Sequence, residues 1–240
     1  MAEWQKKLIV KTGSKGQLIV DSTNEYDINQ KDFCASHPTK QEGRKSHTSP
    51  KVLYLILSNS TNIEGKMRES IRQSWSKDVN KTLSENHKVV FFLGRRHYKK
   101  DANLQSELQY DIELVNEAEK YKDLVRTDVS EADTHYNLKQ TIAMLSWAYK
   151  HCQLARFVVK TTSNTYANLN VIEQFAEQEM YAANRIYGSI LKRMLPDRSI
   201  KGLHYIGEEE WPWDYLPPFL KDPSFILSGD VVPRLLLGTS

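Results

Sequence analysis

The stretch FVVKTTSNTYANL, from Phe157 to Leu169, places an apolar run directly before a cluster of small polar residues. Its first three residues are aromatic or β-branched, which is typical of a buried strand. Thr162, Ser163 and Asn164 then suit a turn at the carboxyl end of that strand and the start of a helix. Ligands of open α/β sheets bind at the carboxyl ends of strands, so this triplet is a candidate binding position. The alternative is an ordinary strand-to-helix turn.

Further strands are predicted on both sides of this stretch. Residues 51–57 (KVLYLIL) and 87–93 (HKVVFFL) are apolar almost throughout, which indicates buried central strands. Together with residues 156–160, they are expected to be neighbours in one mostly parallel sheet. Shorter strands are predicted at residues 123–129, 186–192 and 225–227.

Amphipathic segments between these strands predict helices. Met67, Ile71 and Trp75 recur at i, i+4 and i+8 on one helix face. In residues 131–152, a buried stripe is predicted at helical spacing, consisting of Leu138, Ile142, Leu145, Tyr149 and Cys152. Further helices are predicted at residues 104–115, at 171–181 and after Ser228-Gly229-Asp230. The β-α alternation predicts an α/β fold, with helices on the faces of a mostly parallel sheet.

Length and composition suit one folded domain with a polar segment before it. The chain has 240 residues, a usual size for a single domain. Residues 51–240 are assigned to that domain. Residues 1–50 are assigned to an N-terminal extension or linker, because residues 21–50 are polar. Two short β-like runs, at residues 8–10 and 18–20, precede the polar part.

Charge and hydropathy argue against nucleic-acid binding and against a membrane-spanning helix. The formal net charge is +3 and the basic residues are scattered along the chain. The apolar runs are far shorter than the about 20 residues that cross a bilayer, and the mean hydropathy is −0.58. The N-terminus has no secretory apolar region. The common phosphate-loop, dinucleotide, zinc-protease and serine-hydrolase motifs do not occur.

Cysteines and glycosylation motifs bear on the cellular compartment. Cys34 and Cys152 form neither a disulfide framework nor a zinc pattern. Cys152 lies on the predicted helix stripe, which favours a buried, inert thiol over a nucleophile. The tripeptides that begin at Asn59 and Asn80 match the N-glycosylation sequon. Such tripeptides are common by chance and only hint at a secretory lumen.

Two other groups of residues are candidates for ligand contacts. Arg68 and Arg72 are one helical turn apart and could bind a phosphate, although a solvated helix face is the alternative. The segment EEEWPWDYLPPF contains Trp211, Trp213 and Asp214. It fits an ordered loop that contacts a polar ring, or simple aromatic packing beneath a loop.

Several segments, in the right order, resemble the β-1,3-galactosyltransferase and β-1,3-N-acetylglucosaminyltransferase family of Golgi enzymes. MRESIRQSW resembles the R-x-x-I-R-x-x-W signature of that family, and VVFFLG resembles its F-x-L-G strand end. The acidic block from Glu117 through DLVRTDVSEADTHYNL and the segment WPWDYLPPFLKDPSFILSGDVV also resemble family motifs. The resemblance runs from about Lys51 to the end of the chain, and the ordered set is more specific than any one motif.

The resemblance implies a GT-A-type nucleotide-sugar fold, a UDP-sugar donor and a glycan or glycoprotein acceptor. It also implies Mn²⁺, a Golgi location and a membrane anchor that is absent from this chain. By resemblance, the donor side is assigned to Arg68, Arg72, Thr162, Ser163 and Asn164, with Asn164 as the remaining metal position. The acceptor-side loop is assigned to Trp211, Trp213 and Asp214.

The sequence departs from the family pattern at three places. The K-x-Asp-Asp-Asp motif reads Lys160, Thr161, Thr162, Ser163 and Asn164 here, so metal affinity is expected to be weak or lost. Glycines that follow the family's Y-P-P-Y are replaced by Asp222, Pro223 and Ser224. The later Glu-Asp motif, which supplies the general base, is missing, and neither Asp214 nor Asp230 receives that role from the resemblance.

Two functions of different classes follow. The first is a hexosyltransferase that moves galactose or N-acetylglucosamine from a UDP-sugar to a glycan hydroxyl in β-1,3 linkage. The second is an inactive glycosyltransferase-like domain that binds a glycan or a partner protein, which the loss of the carboxylate triplet favours.

Overall fold

The computed structural model of the chain describes residues 26–34, 50–77, 79, 87–96, 104–133, 135–202 and 204–238. Within this part, seven strands form one sheet in the order β1-β4-β3-β2-β5-β7-β6. The β-like runs predicted at residues 8–10 and 18–20 lie outside the described residues.

The elements alternate along the chain as the sequence predicts. The strands are β1 (Tyr26–Ile28), β2 (Val52–Leu57), β3 (His87–Arg95), β4 (Leu124–Ser130), β5 (Phe157–Thr162), β6 (Ile186–Leu191) and β7 (Phe219–Ser228). The helices are α1 (Asn62–Gln73), α2 (Leu104–Tyr121), α3 (Tyr136–His151), α4 (Leu169–Gln178) and α5 (Val231–Gly238). The second helix is longer than predicted, and the third begins later than predicted.

The predicted sheet core is confirmed. Strand β2 pairs in parallel with β3 on one side and with β5 on the other, and β4 extends the parallel set beyond β3. Strands β1 and β7 are antiparallel to their neighbours, and β6 pairs antiparallel with β7. The carboxyl ends of β2, β3, β4 and β5 therefore lie along a single edge of the sheet.

Helices cover both faces of the sheet, as predicted. Alternate residues of β2 point to opposite sides: Leu53 and Leu55 join a core with residues of α3 and α5. Tyr54 and Ile56 join a second core with residues of α1, α2 and α4. A strand buried on both faces reads as a continuous apolar run, which explains the sequence KVLYLIL.

The buried face of α3 differs from the predicted stripe at its start. Leu138 is 60% exposed, whereas Leu145 is 5% exposed and Trp147 is completely buried. The indole of Trp147 packs edge-on against the Phe92 ring at a centroid distance of 5.4 Å. The stripe prediction was wrong for Leu138, which lies on the exposed side of the first turns of the helix, whereas Gln140, two residues later, is fully buried.

Leu145→Ala is expected to lower the free energy of unfolding by about 2–5 kcal/mol, because it leaves a cavity in the core. Urea denaturation of the purified chain measures this change. Leu138→Ala is the matched control on the same helix, and it should alter stability by no more than about 0.5 kcal/mol. Similar losses for the two variants would contradict the helix face described here.

The segment before residue 50 includes a strand that the sequence did not predict. Strand β1 pairs with β4 at the edge of the sheet, and Trp147 Nε1 donates a hydrogen bond to Asn29 Oδ1 at 2.8 Å. A disulfide joins Cys34, just beyond this strand, to Cys152 at the end of α3. The interpretation of Cys152 as an inert free thiol was therefore wrong. Residues 1–25 and 35–49 of the predicted extension lie outside the described residues.

Strand β7 contains the departure from the family glycines. Asp222, Pro223 and Ser224 lie within it, where its pairing with β6 is irregular between Gly188 and Ile190. Proline lacks the N–H that a regular ladder uses, and it is tolerated at such irregularities. In the part of the chain that is described, no helix combines the length and the apolar character needed to cross a membrane.

Candidate functional site

The predicted polar triplet lies at the carboxyl end of β5. Thr162 is the last residue of the strand, and Ser163 and Asn164 form the turn that follows. The Ser163 N–H donates to the Leu57 carbonyl oxygen at 3.0 Å, which joins this turn to the end of β2. The turn therefore occupies the sheet edge at which α/β proteins bind ligands.

Side-chain hydrogen bonds hold the triplet, and one of them ends at the carboxylate of Glu64. The Thr162 hydroxyl donates to Asn164 Oδ1 and lies 3.2 Å from the Thr165 hydroxyl. Ser163 is buried and donates from Oγ to Glu64 Oε2, whereas Asn164 is exposed. The exposed oxygens at the tip of β5 consequently belong to uncharged side chains.

Glu64 connects the ends of the two central strands. Its Oε2 accepts hydrogen bonds from Ser58, directly after β2, at 2.9 Å, and from Ser163, directly after β5. Glu64 lies in the first turn of α1, where a negative charge is favourable, and its N–H donates to the Thr61 hydroxyl at 3.2 Å. Glu64 was not among the site residues predicted from the sequence, although Thr61 and Glu64 have the spacing of a capping box.

A second acidic residue, Glu131, lies directly after β4 and binds the loop after β2. The Ser60 N–H donates to Glu131 Oε1 at 2.7 Å, and the Ser60 hydroxyl donates to the Gly94 carbonyl at 3.2 Å. Burial raises the pKa of Glu131. A Cβ atom at Gly94 would lie 2.6 Å from Tyr136 Cε2, so only glycine permits this approach. The loop after β2 is therefore closely packed against the ends of β3 and β4.

Arg68 and Arg72 have carboxylate partners inside the fold. Arg68 is 1% exposed, and its guanidinium forms two hydrogen bonds to Glu117, at 2.8 and 2.7 Å. Arg72 makes two hydrogen bonds to Asp123, each 2.8 Å long, and it also pairs with Glu117 at 2.8 Å. The donor-binding role of both arginines stays a prediction. Their observed contacts are those of an internal ion-pair cluster.

Arg68 also contacts the loop after β2, beside the triplet. Its Nη1 donates to Ser58 Oγ at 3.0 Å and to the Asn59 carbonyl oxygen at 3.1 Å. Ser58 in turn donates to Glu64. A buried cation thus holds the loop after β2 in place, which positions the groups that neighbour the triplet.

The predicted acceptor-side loop starts from the same edge. Residues 192–218 connect the end of β6 to the start of β7, and Leu191 pairs with Phe219 where the loop closes. Because β6 runs in the same direction as β5, this loop leaves the sheet on the side of the triplet. The rings of Trp211 and Trp213 lie 4.6 Å apart between centroids, and Asp214 is exposed.

Arg198 orders this loop by binding its backbone. Nη1 donates to the Ile206 carbonyl at 2.8 Å, and Nη2 donates to the carbonyls of Trp211 and Trp213 at 2.6 and 3.4 Å. Trp211 Nε1 adds a hydrogen bond to the Tyr215 carbonyl at 2.9 Å. One guanidinium therefore fixes the part of the loop that presents the tryptophan pair.

Arg198→Ala is expected to release the tryptophan pair, because three carbonyl oxygens lose a common donor. Acrylamide should quench the tryptophan fluorescence more strongly, while global stability falls by only about 1 kcal/mol, since water replaces the donor at a half-exposed site. Lys201→Ala, which removes an exposed cation from the same loop, is the control. Unchanged quenching in the Arg198 variant would show that the guanidinium does not order the loop.

Asp230, the other carboxylate considered from the sequence, lies away from the triplet. Asp230 follows β7, whose last residue, Ser228, pairs with Phe157 at the amino end of β5. Asp230 Oδ2 accepts a hydrogen bond from the Asn184 N–H at 2.8 Å, away from the triplet. Asp230 and Thr162 therefore lie at opposite ends of β5, so Asp230 cannot act on a ligand at the triplet.

The triplet does not fit a divalent cation. Mn²⁺ and other hard cations favour carboxylate oxygens, whereas the oxygens here come from hydroxyls and one amide. The nearest carboxylate, Glu64, already accepts two serine hydrogen bonds. Among the residues that the structure describes, no group of three or more His, Cys, Asp or Glu side chains could hold a metal.

Comparison with known proteins assigns the chain to a family. The family model described as galactosyltransferase matches residues 66–240, well over half of the chain. The chain belongs to the galactosyltransferase family. The mixed, mostly parallel sheet with helices on both faces is consistent with the GT-A-like α/β fold of this family.

Individual members of the galactosyltransferase family are distant in sequence. Beta-1,3-galactosyltransferase 5 of Pan troglodytes is 25% identical over 78% of this chain and 59% of its own length. UDP-GalNAc:beta-1,3-N-acetylgalactosaminyltransferase 1 of Mus musculus is 26% identical over 82% of this chain and 56% of its own length. Lactosylceramide 1,3-N-acetyl-beta-D-glucosaminyltransferase A of Xenopus laevis is 24% identical over 85% of this chain and 53% of its own length. The chain thus spans little more than half the length of these relatives.

Proposed function

We propose that this chain binds a UDP-sugar at the edge formed by the ends of β2 and β5. We further propose that it serves the transfer of a hexose to a glycan hydroxyl in β-1,3 linkage. The observation that carries the proposal is the position of the polar triplet. Thr162 ends β5, Ser163 and Asn164 follow it beside the end of β2, and the loop of residues 192–218 leaves the sheet on the same side.

The donor would be held by neutral groups in this proposal. Hydroxyl and amide groups of Thr162 and Asn164 can hydrogen-bond the ribose or the diphosphate oxygens. Arg68 acts indirectly, because its guanidinium is shared among Glu117, Ser58 and the Asn59 carbonyl. We therefore propose donor binding with little dependence on manganese.

The acceptor would approach from the loop of residues 192–218. Aromatic faces suit the apolar side of a sugar ring, and the exposed carboxylate of Asp214 can accept hydrogen bonds from sugar hydroxyls. The transfer also requires a base that takes the proton of the acceptor hydroxyl as it attacks the anomeric carbon. Asp230 is excluded from that role by its place at the opposite edge of the sheet.

We propose the secretory pathway, and within it the Golgi lumen or membrane, as the location of the chain. The disulfide between Cys34 and Cys152 supports this proposal, because structural disulfides form and persist in oxidising compartments. The glycosyltransferase names of the relatives support the proposed transfer reaction rather than the location, and they lend no support to a domain that only binds a glycan or partner.

A transfer assay tests the proposed function. The chain is incubated with UDP-galactose, UDP-N-acetylglucosamine or UDP-N-acetylgalactosamine and with galactoside and N-acetylglucosaminide acceptors. UDP release and the product linkage are then measured, the latter by NMR. The expected result is a β-1,3-linked product with one donor. Absence of both UDP binding and transfer, with every donor and in a correctly folded sample, would contradict the proposal.

A further inference from the structure

The sequon that begins at Asn59 lies on an exposed turn of the fold. Asn59 comes two residues after the end of β2, and its side chain is exposed while both Ser58 and Ser60 are buried. The hydroxyl of Ser60 is bound to the Gly94 carbonyl, and its N–H is bound to Glu131. These contacts direct the side chain of Asn59 away from the protein.

The third residue of the sequon is also accessible and has a separate structural role. Thr61 is exposed, and its Oγ1 caps α1 by accepting a hydrogen bond from the Glu64 N–H. The middle residue is serine rather than proline, so the tripeptide meets the requirement for an N-glycosylation acceptor. The carbonyl oxygen of Asn59 accepts a hydrogen bond from Arg68 at 3.1 Å, a contact that leaves the side-chain amide available.

The disulfide supplies an independent observation about the compartment. Cys34 and Cys152 are joined, which indicates that the chain folds where thiols are oxidised. Asparagine-linked glycosylation takes place in the same lumen, on chains that carry this tripeptide. The chemical environment required for the disulfide and the one required for the modification therefore coincide.

We propose that Asn59 carries an N-linked glycan. Its side-chain nitrogen attacks the anomeric carbon of a lipid-pyrophosphate-linked oligosaccharide. The bond from that carbon to the pyrophosphate oxygen breaks, an N-glycosidic bond forms, and the nitrogen loses one proton as the lipid pyrophosphate leaves. No electron transfer occurs. The attached sugar leaves the protein beside Ser58, on the rim of the same sheet edge as the triplet.

Mass spectrometry of the chain, secreted from mammalian cells behind an added signal peptide, tests this proposal. The peptide that contains Asn59 should carry an oligosaccharide mass. Treatment with peptide-N-glycosidase should remove that mass and convert the residue to aspartate. Asn59→Gln should abolish the modification, whereas Asn80→Gln should leave it in place.

Substitutions at Thr61 separate glycosylation from folding. Thr61→Ser keeps both the sequon and the helix cap, so the glycan should remain. Thr61→Asp keeps a capping oxygen but destroys the sequon, so the glycan should be lost from a chain of unchanged fold. An unmodified Asn59 peptide in disulfide-bonded wild-type chain, whether taken from the medium or from the lumen, would overturn the proposal. The result does not depend on whether the chain binds UDP.

Discussion

Glu117→Gln is expected to lower the free energy of unfolding by about 3–5 kcal/mol, because it leaves a buried guanidinium without its anionic partner. Glu117 binds Arg68 through two hydrogen bonds and also pairs with Arg72. The Arg68 side chain is 1% exposed, so water can replace little of the lost negative charge. Urea denaturation at neutral pH measures the change.

Asp111→Asn is the matched control for this prediction. Asp111 is on the same helix as Glu117 and pairs with Arg126 at 2.9 Å, but this pair is closer to solvent and Arg126 also binds Asp27. Its loss should therefore cost no more than about 1 kcal/mol. If Glu117→Gln lowered the free energy of unfolding as little as the control does, the ion pairs of Arg68 and Arg72 would not be important for stability.

The effect of Glu117→Gln should also depend on pH. Burial opposes ionisation of Glu117, but the hydrogen bonds and charges of Arg68 and Arg72 outweigh it and lower the pKa of the carboxyl. A pKa below the unfolded value gives stability that is present above the unfolded pKa and lost as pH falls through the folded one. The stability gap between wild type and variant should shrink below about pH 4.

Removal of the disulfide is expected to have the second large effect. The double variant Cys34→Ser/Cys152→Ser should lose about 2–5 kcal/mol of stability, the usual result for a native disulfide. The bond ties the segment after β1 to the end of α3, across a sequence separation of 118 residues. Without it, the segment keeps the pairing of β1 with β4 and the Asn29–Trp147 hydrogen bond.

A reductant provides the control for the disulfide variant. Dithiothreitol should destabilise the wild-type chain by about the same amount as the double substitution, and it should not affect the variant further. Two free thiols in the untreated wild-type chain, or equal stability with and without the reductant, would contradict the disulfide.

The central strands could be predicted from the sequence because their residues are buried on both faces. Continuous apolar runs such as KVLYLIL and HKVVFFL are typical of strands that are buried on both faces of a sheet. The polar triplet could be placed because an apolar run stops abruptly before it. In contrast, β1 has three residues and, in the described part of the sheet, pairs with one strand, β4. A strand this short, in a polar segment, gives no alternation pattern that could be recognised.

The arginine pairs show a different limit of sequence reasoning. Arg68 and Arg72 look like a solvated or phosphate-directed stripe, because a helix pattern does not reveal which other helix covers it. Their partners, Glu117 and Asp123, are about 50 residues away in sequence, at separations of 49 and 51. The disulfide could not be predicted for the same reason, because the positions of two cysteines in a sequence do not show whether the fold brings them together.

The central claim is that the tip of β5 binds the donor nucleotide without a metal ion. Thr162 and Asn164 are close enough to share a hydrogen bond, so carboxylates at both positions could chelate one cation. The double variant Thr162→Asp/Asn164→Asp should therefore gain manganese-dependent UDP binding. Asn168→Asp/Asn170→Asp, which adds the same charge at the start of α4, is the control and should gain none.

Calorimetric titration of UDP into the wild-type chain and the two double variants, with and without manganese, tests this claim most directly. Manganese should leave the wild-type and control affinities unchanged and should strengthen binding to the Thr162/Asn164 variant at least about tenfold, or about 1.4 kcal/mol. Tight, manganese-dependent binding by the wild-type chain would contradict a metal-free donor site. No gain in the Thr162/Asn164 variant would contradict the placement of the donor at the end of β5.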